Sequence, residues 1–243
     1  MRRKPITVVS VNTGLPRTVA WNGGTVTTSI WKTPVAGRVD VGRLNLDGDR
    51  QSDLTKHGGD DKAVYAYPAE HYSYWRRKLP GADLTFGAFG ENLTVEGLSE
   101  KTLRIGDRLV VGSAELVVRQ PRMPCFKLGL RFASGDMPRR FLRSGRTGCY
   151  LAVTKTGSLA AGDAVTLVRT ASKPSVTVAQ FVALYAGGDV DRDLLRAAAE
   201  SPDVPKLWRD YFRARLASEE GELSAVWREY FLAKPWQEEG GME

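Results

Sequence analysis

Between residues 6 and 169, apolar positions come in short runs broken by turn residues. The run at 6–11 contains Ser10 and stops at Asn12-Thr13-Gly14, which predicts a first strand. Residues 18–21 and the β-branched run 25–31 flank Asn22-Gly23-Gly24, a strong hairpin signal because Asn and Gly tolerate positive φ. Further strands are predicted at 62–67, 103–111, 114–120, 149–154 and 164–169, and the dipeptides Gly106-Asp107 and Gly162-Asp163 mark two of them. Many short strands with Gly-containing turns favour a closed barrel or folded sheet over a strand–helix repeat.

Helical patterns interrupt this series. Residues 68–75 begin at Pro68, which a first helical turn accepts, and lead into Arg76-Arg77-Lys78, where cations suit a helix C-terminus. Residues 125–132 and 138–143 predict two further short helices. After Thr170-Ala171-Ser172-Lys173-Pro174-Ser175 the period changes, and 177–185, 191–200 and 205–217 read as helices. Leu207, Trp208, Tyr211, Phe212 and Leu216 share one apolar face, which reads as core. The expected fold is mainly β with α: a barrel domain with helical inserts over 1–170, then a Pro-containing linker and a small helical domain of about three helices over 175–235.

Composition narrows the class. The chain has 243 residues, 42% hydrophobic and 26% charged, as ordinary globular chains do. Its 35 Lys and Arg against 28 Asp and Glu leave +7, a charge that attracts nucleic acid, a membrane surface or a phosphorylated small molecule. No apolar run approaches the roughly 18 residues of a membrane span. The apolar stretch behind Met1-Arg2-Arg3-Lys4-Pro5 is too short for a signal peptide. Cys125 and Cys149 are the two cysteines, so no disulfide framework staples a core, although a single disulfide stays open. A soluble cytoplasmic chain with no membrane partner is expected.

Three stretches carry candidate chemistry. Residues 47–62, DGDRQSDLTKHGGDDK, hold Leu54 as their one large apolar side chain, and are either a solvated loop or a ligand loop in which His57 precedes Gly58-Gly59. A calcium loop fails, because Ser52 stands where Gly is required and Gly58 where a bidentate Glu is required. A zinc site would draw on His57, His71, Cys125 and Cys149, whose separations match no short ligand pattern. In Gln120-Pro121-Arg122-Met123-Pro124-Cys125-Phe126-Lys127-Leu128, the prolines stiffen the backbone and the cations favour thiolate; Cys125 is either a reactive thiol or a small buried hydrophobe. Cys149 shares a strand face with Leu151 and Val153 and reads as core. Arg139, Arg140, Arg143 and Arg146 either grip phosphate or form the solvated side of a short helix. Glu91-Asn92 sit on a tight turn, and no phosphate-cradling glycine loop follows a strand.

The ordered set GDRQSDLTKHGG (48–59), KAVYAYPAEHYSYW (62–75), FGENLTVEGL (89–98), RIGD (104–107) and QPRMPCFKL (120–128) resembles the MOSC-domain family, in particular its YiiM type. The likeness runs from about residue 9 to about residue 169, and the helical tail stands where that type carries a small three-helix domain. The resemblance implies a MOSC β-barrel whose pocket holds the molybdenum cofactor, a molybdopterin with a terminal phosphate. It implies that Cys125 ligates molybdenum or carries sulfur, that His57, Gly58 and Gly59 match the family's H-G-G and Lys62 its basic position, and that Phe89 to Leu93 match F-G-E-N-L. The implied activity reduces N-hydroxylated compounds, such as N-hydroxylated purines, to amines. Two cysteines cannot hold a four-cysteine cluster, so electrons are expected from a separate reductase such as a flavoprotein.

On this basis Cys125 is the expected metal ligand and His57 a catalytic proton relay. Gln51, Asp53, Lys56, His57, Gly58, Gly59, Lys62, Asn92 and Arg122 are the expected cofactor pocket. The sequence departs from its relatives at Cys149, where an aromatic is common, which leaves open a second thiol near the pocket. Beyond Trp227 nothing matches. Two alternatives stand: a sulfur carrier with a persulfide on Cys125, and a cofactor- or nucleic-acid-binding module. For the latter the tail offers Arg209, Arg213, Arg215 and Arg228 beside Trp208 and Trp227, but also Glu219, Glu220 and Glu222, so nucleic acid is the less favoured partner. A homodimer stays open.

Overall fold

The computed structural model describes residues 5–52, 58–186 and 191–217. Along the chain it forms strands β1 (Ile6–Thr13), β2 (Arg17–Trp21), β3 (Gly24–Thr28), β4 (Thr33–Pro34), β5 (Arg38–Val41) and β6 (Val64–Pro68), then helix α1 (Glu70–Lys78) and strands β7 (Leu93–Glu96), β8 (Arg108–Val111) and β9 (Ala114–Pro121). Helices α2 (Phe126–Arg131) and α3 (Met137–Arg143) precede β10 (Cys149–Lys155), β11 (Gly157–Ala160) and β12 (Ala164–Val168), and α4 (Val178–Ala186), α5 (Arg192–Glu200) and α6 (Lys206–Ala217) follow.

Seven strands, in the order β12-β8-β9-β10-β6-β7-β1, close on themselves where β1 pairs with β12, Ile6 facing Val165. All neighbours in this ring are antiparallel except β6 and β7, which run parallel with Ala66 beside Leu93. Closure leaves the ring no free edge. The fold is therefore a mixed β-barrel with helical inserts, mainly β with α as expected. β2 and β3 make a separate hairpin whose turn residues Asn22 and Gly23 take φ of 45° and 73°, the conformation their residue types invite.

Several predicted bounds shift. The run expected to be a strand to residue 31 ends at Thr28. The strand expected from 103 starts at Arg108, because Ile105 and Gly106 spend their N–H groups on Val176 and Val118 in a turn where Gly106 has φ of 92°. Pro68 closes β6 instead of opening a helix, and α1 runs to Lys78.

β6 is buried along its whole length, so it has two apolar faces. Val64 and Ala66 join the barrel interior with Val8, Val11, Leu116 and Val118, while Tyr65 and Tyr67 enter an aromatic layer with Tyr72, Trp75, Phe89 and Phe141 beneath α1 and α3. The last helices belong to the barrel's core: Phe181, Leu195, Trp208, Tyr211 and Phe212 are in the same apolar cluster, and the Trp208 indole N–H donates to the buried Gln120 side chain at the end of β9. The remainder of the expected helical domain, 218–235, lies outside the described residues. Among the described residues no helix is long and apolar enough to cross a membrane.

Because α6 shares the barrel's core, Trp208→Ala should cost about 3–5 kcal/mol in urea unfolding, in one transition seen equally by far-UV dichroism and fluorescence. Loss confined to a helical sub-transition would contradict that shared core.

Candidate functional site

One open cavity of about 100 Å³ lies where five parts of the chain meet: residues 28–32 after β3, residues 49–52, the start of β6, Gly90 and Asn92 ahead of β7, and residues 122–127 after β9. Tyr150 of β10 completes the wall.

Asp49 is the junction of these parts. It is buried, and it accepts hydrogen bonds from Gly14 N–H (2.9 Å) and from Asn92 Nδ2 (2.8 Å), and pairs with the Lys32 ammonium. Both members of this ion pair are almost wholly out of solvent. Burial pushes the Lys32 amine below its ordinary value, and Asp49 opposes that shift. The other end of Asn92 is fixed too, since its Oδ1 accepts from Tyr65 N–H at 3.0 Å. Its neighbour Glu91 faces away from the cavity and caps its own loop, accepting from Gly87 N–H (2.9 Å), Phe89 N–H (3.1 Å) and Thr94 Oγ1 (2.9 Å) as well as from the Tyr72 hydroxyl. Burial raises the Glu91 carboxyl above the usual range. This loop must lie close to residue 32: a Cβ on Gly87, whose φ is 91°, would stand 2.7 Å from the Lys32 carbonyl.

Arg122 forms the aromatic side of the wall. Its guanidinium lies 5.6 Å from the Tyr65 ring centre and 5.4 Å from that of Phe141, and it bonds the Tyr150 hydroxyl, yet its Nη1 is buried with no hydrogen-bond partner. Burial raises the Tyr65 and Tyr150 hydroxyls while the Arg122 charge acts the other way. Three residues on, Cys125 stands in extended conformation (φ −132°, ψ 175°) immediately before α2, in the cavity wall and 9% exposed. Behind it, Phe126 packs on Trp21 of the β2–β3 hairpin with ring centres 6.2 Å apart.

Of the expected pocket residues, the structure brings together Gln51, Lys62, Asn92, Arg122 and Cys125. Gln51 also braces its surroundings, with Nε2 donating to the carbonyls of Lys62 (2.8 Å) and Leu44 (3.2 Å) and Oε1 accepting from Gly59 N–H (3.3 Å). Gly58 and Gly59 do not line the cavity; Gly59 is needed for its φ of 91° at the entry to the 3-10 turn Asp60–Lys62. Asp53, Lys56 and His57 lie outside the described residues. The sequence reading did not place Lys32, Asp49, Arg50, Tyr65 or Tyr150 in the pocket.

The remaining candidates stand elsewhere. Arg139 and Arg143 are exposed, Arg140 donates to the Lys78 carbonyl (2.9 Å) and Arg146 lies 3.9 Å from the Tyr74 ring centre, so these arginines are the solvated side of α3 and its turn. His71 meets Glu100 at 2.7 Å. Cys149 is 1% exposed in the barrel core, where burial, with Glu100 adding to it, pushes its thiol far above the ordinary range. It does not reach the cavity. Neither cysteine is in a disulfide.

The charge balance of the wall states what it can hold. Among the described residues, Lys32, Arg50, Lys62, Arg122 and Lys127 share the wall with a single carboxylate, Asp49. Such a site suits an anion. Among the described residues no three His, Cys, Asp or Glu side chains converge as metal ligands, whereas one sulfur in a cationic wall fits an anionic group that brings most of its own metal ligands.

Residues 53–166 match the MOSC domain family. The uncharacterised protein YflK of Bacillus subtilis is 40% identical over 173 residues, which span 71% of this chain and 78% of YflK. A protein of Gibberella moniliformis named a reductase is 32% identical over 197 residues, 80% of this chain but 35% of that one. The crystal structure of YiiM from Geobacillus stearothermophilus superposes with a TM-score of 0.72 at 35% identity, covering 88% of this chain and all of that one (100%).

Two outcomes test this geometry. Asp49→Ala should destabilise the fold by about 3–5 kcal/mol in urea titration, since it leaves a buried ammonium without its partner, and adding Lys32→Met should recover part of the loss. In cofactor-free protein at about pH 8, iodoacetamide should alkylate Cys125 and spare Cys149 until denaturant is added, as peptide mass mapping reads directly.

Proposed function

The chain belongs to the MOSC-domain family, and on that premise we propose that it is a molybdenum-cofactor-dependent reductase of N-hydroxylated compounds, N-hydroxylated purines among them. The observation that carries this reading is the cavity wall, where, among the described residues, five cations and one sulfur share the lining with one carboxylate and a buried guanidinium nitrogen has no partner. The molybdenum cofactor, when bound, would supply a metal able to exchange two electrons and, on its pterin, an anionic phosphate.

The chain's own residues take the following parts. Cys125 offers a thiolate sulfur, a ligand type that soft metal centres accept. Arg122, Lys62 and Lys127 supply donors and charge for the anionic group, and Arg122 is held for this by Tyr65, Phe141 and Tyr150. Asn92 and Asp49 fix the Lys32 ammonium at the wall. Gln51 keeps Lys62 and the turn at Gly59 in register with the cavity. His57 as a proton relay and Asp53 and Lys56 as cofactor-binding groups keep the roles proposed from sequence; all three lie outside the described residues.

The overall change is R–NHOH + 2e⁻ + 2H⁺ → R–NH₂ + H₂O. The electrons come from a separate reductase, a flavoprotein. The Gibberella relative named a reductase, 35% of whose chain is matched here, supports the reading. A reducing compartment such as the cytoplasm keeps Cys125 a thiol.

Protein purified from a host that makes the cofactor should carry molybdenum and pterin by metal and fluorescence analysis. Cys125→Ala should abolish N-hydroxyl reduction while dichroism shows an intact fold. Full activity of that variant would refute the ligand role, and a cyanide-labile persulfide on metal-free protein would favour the sulfur-carrier alternative.

A further inference from the structure

Ser29 stands just past the end of β3, in the cavity wall, and is 8% exposed. Its hydroxyl is buried and has no hydrogen-bond partner among the described residues. Leaving a buried hydroxyl unmet costs about 1–3 kcal/mol, a penalty that a ligand in the cavity would remove. The adjoining Thr28 is differently placed: its hydroxyl accepts from Ile30 N–H at 3.2 Å and so fixes the turn that brings Ser29 and Ile30 to the wall.

The surroundings of this hydroxyl carry little net charge. Ile30 is buried beside it in the wall, and Gly90 closes against Ile30: a Cβ on Gly90 would stand 3.1 Å from Ile30 Cγ1 and 3.3 Å from the Ile30 carbonyl. Lys32, the cation of this segment, is taken up by Asp49, which Asn92 also holds. The other cations of the wall come from other segments, and Arg122 and Lys127 stand on either side of Cys125 in sequence. The wall is therefore sorted by chain segment. Residues 122–127 bring charge and sulfur, whereas 28–30 bring an apolar side chain and hydroxyls. An anion gains most from the first, and a neutral ring with a polar edge gains most from the second.

We infer that Ser29 is a specificity residue, whose hydroxyl bonds the polar edge of a neutral heteroaromatic ring carrying the N-hydroxyl group, with Ile30 as the ring's apolar contact. The inference rests on the reductase reading above and names the feature of the substrate that is selected. A hydroxyl both donates and accepts, so it can meet a ring nitrogen or an exocyclic N–H. A substrate without such an edge leaves the hydroxyl unmet in the complex, and a site built around a buried polar group rejects such analogues more strongly than an apolar pocket does.

The test uses full-length, cofactor-loaded protein, reduced methyl viologen as electron donor, and two substrates: the N-hydroxylated form of adenine, whose ring edge carries nitrogens, and benzamidoxime, whose phenyl ring carries none. Ser29→Ala should lower the ratio of kcat/KM for the purine to kcat/KM for benzamidoxime about tenfold, chiefly through the purine KM, and Ser29→Thr, which keeps the hydroxyl, should restore most of that ratio. Adenine itself has the same ring nitrogens and no N–O bond to reduce. In equilibrium dialysis it should bind the Ser29→Ala protein about tenfold more weakly than the wild type. An unchanged ratio, or an equal loss for both substrates, would overturn the role of Ser29 and leave the reductase reading standing. A fall in the molybdenum and pterin content of Ser29→Ala with an unchanged ratio would also overturn it, by giving the hydroxyl to the cofactor. No turnover of either substrate by the wild type would overturn the reductase reading and this inference with it.

Discussion

Asp49 is where the barrel and its cavity are tied together. Its two oxygens take Gly14 from the end of β1, Lys32 from the segment beyond β3 and Asn92 from the lead into β7. Ions removed from water cost several kcal/mol each, so this pair is tolerable only with every partner in place. Asn92 can reach it because β6 and β7 run parallel with Ala66 beside Leu93; the residue before Leu93 then lies beside Tyr65 and exchanges bonds with both its N–H and its carbonyl. β6 is a dependable reference because both its faces are buried. The cavity thus inherits its geometry from the barrel strand that is buried at every residue.

Among the described residues the same wall carries more cations than carboxylates. Arg122 gains from the rings of Tyr65 and Phe141, but one of its nitrogens has no acceptor, and Lys32 is held where burial works against its charge. Unmet donors and crowded cations lower stability. Both groups stand in the wall of the cavity that Cys125 also lines, so an entering anion would relieve both costs together.

The barrel was legible where the pattern was local. The Asn22-Gly23 turn, the alternation along β9 and the helical period of α4 to α6 follow from neighbouring residues. β4, β5, β7 and β11 are two to four residues long, too short for alternation to declare itself, and their pairing partners are distant in sequence. The pocket divides the same way. Gln51, Lys62, Arg122 and Cys125 stand in polar or proline-bounded motifs that look unlike core. Tyr65 and Tyr150 sit within strand-like apolar runs, and only barrel register turns them toward the cavity, while Lys32 lies between β3 and β4, just past such a run. Of the two readings the arginines near α3 left open, the structure has the solvated one: Arg139 and Arg143 face solvent, Arg140 reaches the Lys78 carbonyl and Arg146 lies against Tyr74.

The two cysteines show how far environment outweighs residue type. They flank one stretch of β-ladder, since Pro121, four residues before Cys125, lies opposite Cys149. Cys149 faces inward among apolar residues, with Glu100 close enough to disfavour a second negative charge, so its sulfur stays protonated and serves only to fill space. β9 ends at Pro121, and Cys125 stands beyond Pro124 and just before α2, which places it in a wall shared with Arg122 and Lys127. A nearby positive charge stabilises thiolate, whereas an apolar core opposes it. The proline-bounded break that ends β9 is therefore what separates a packing sulfur from one available to a ligand.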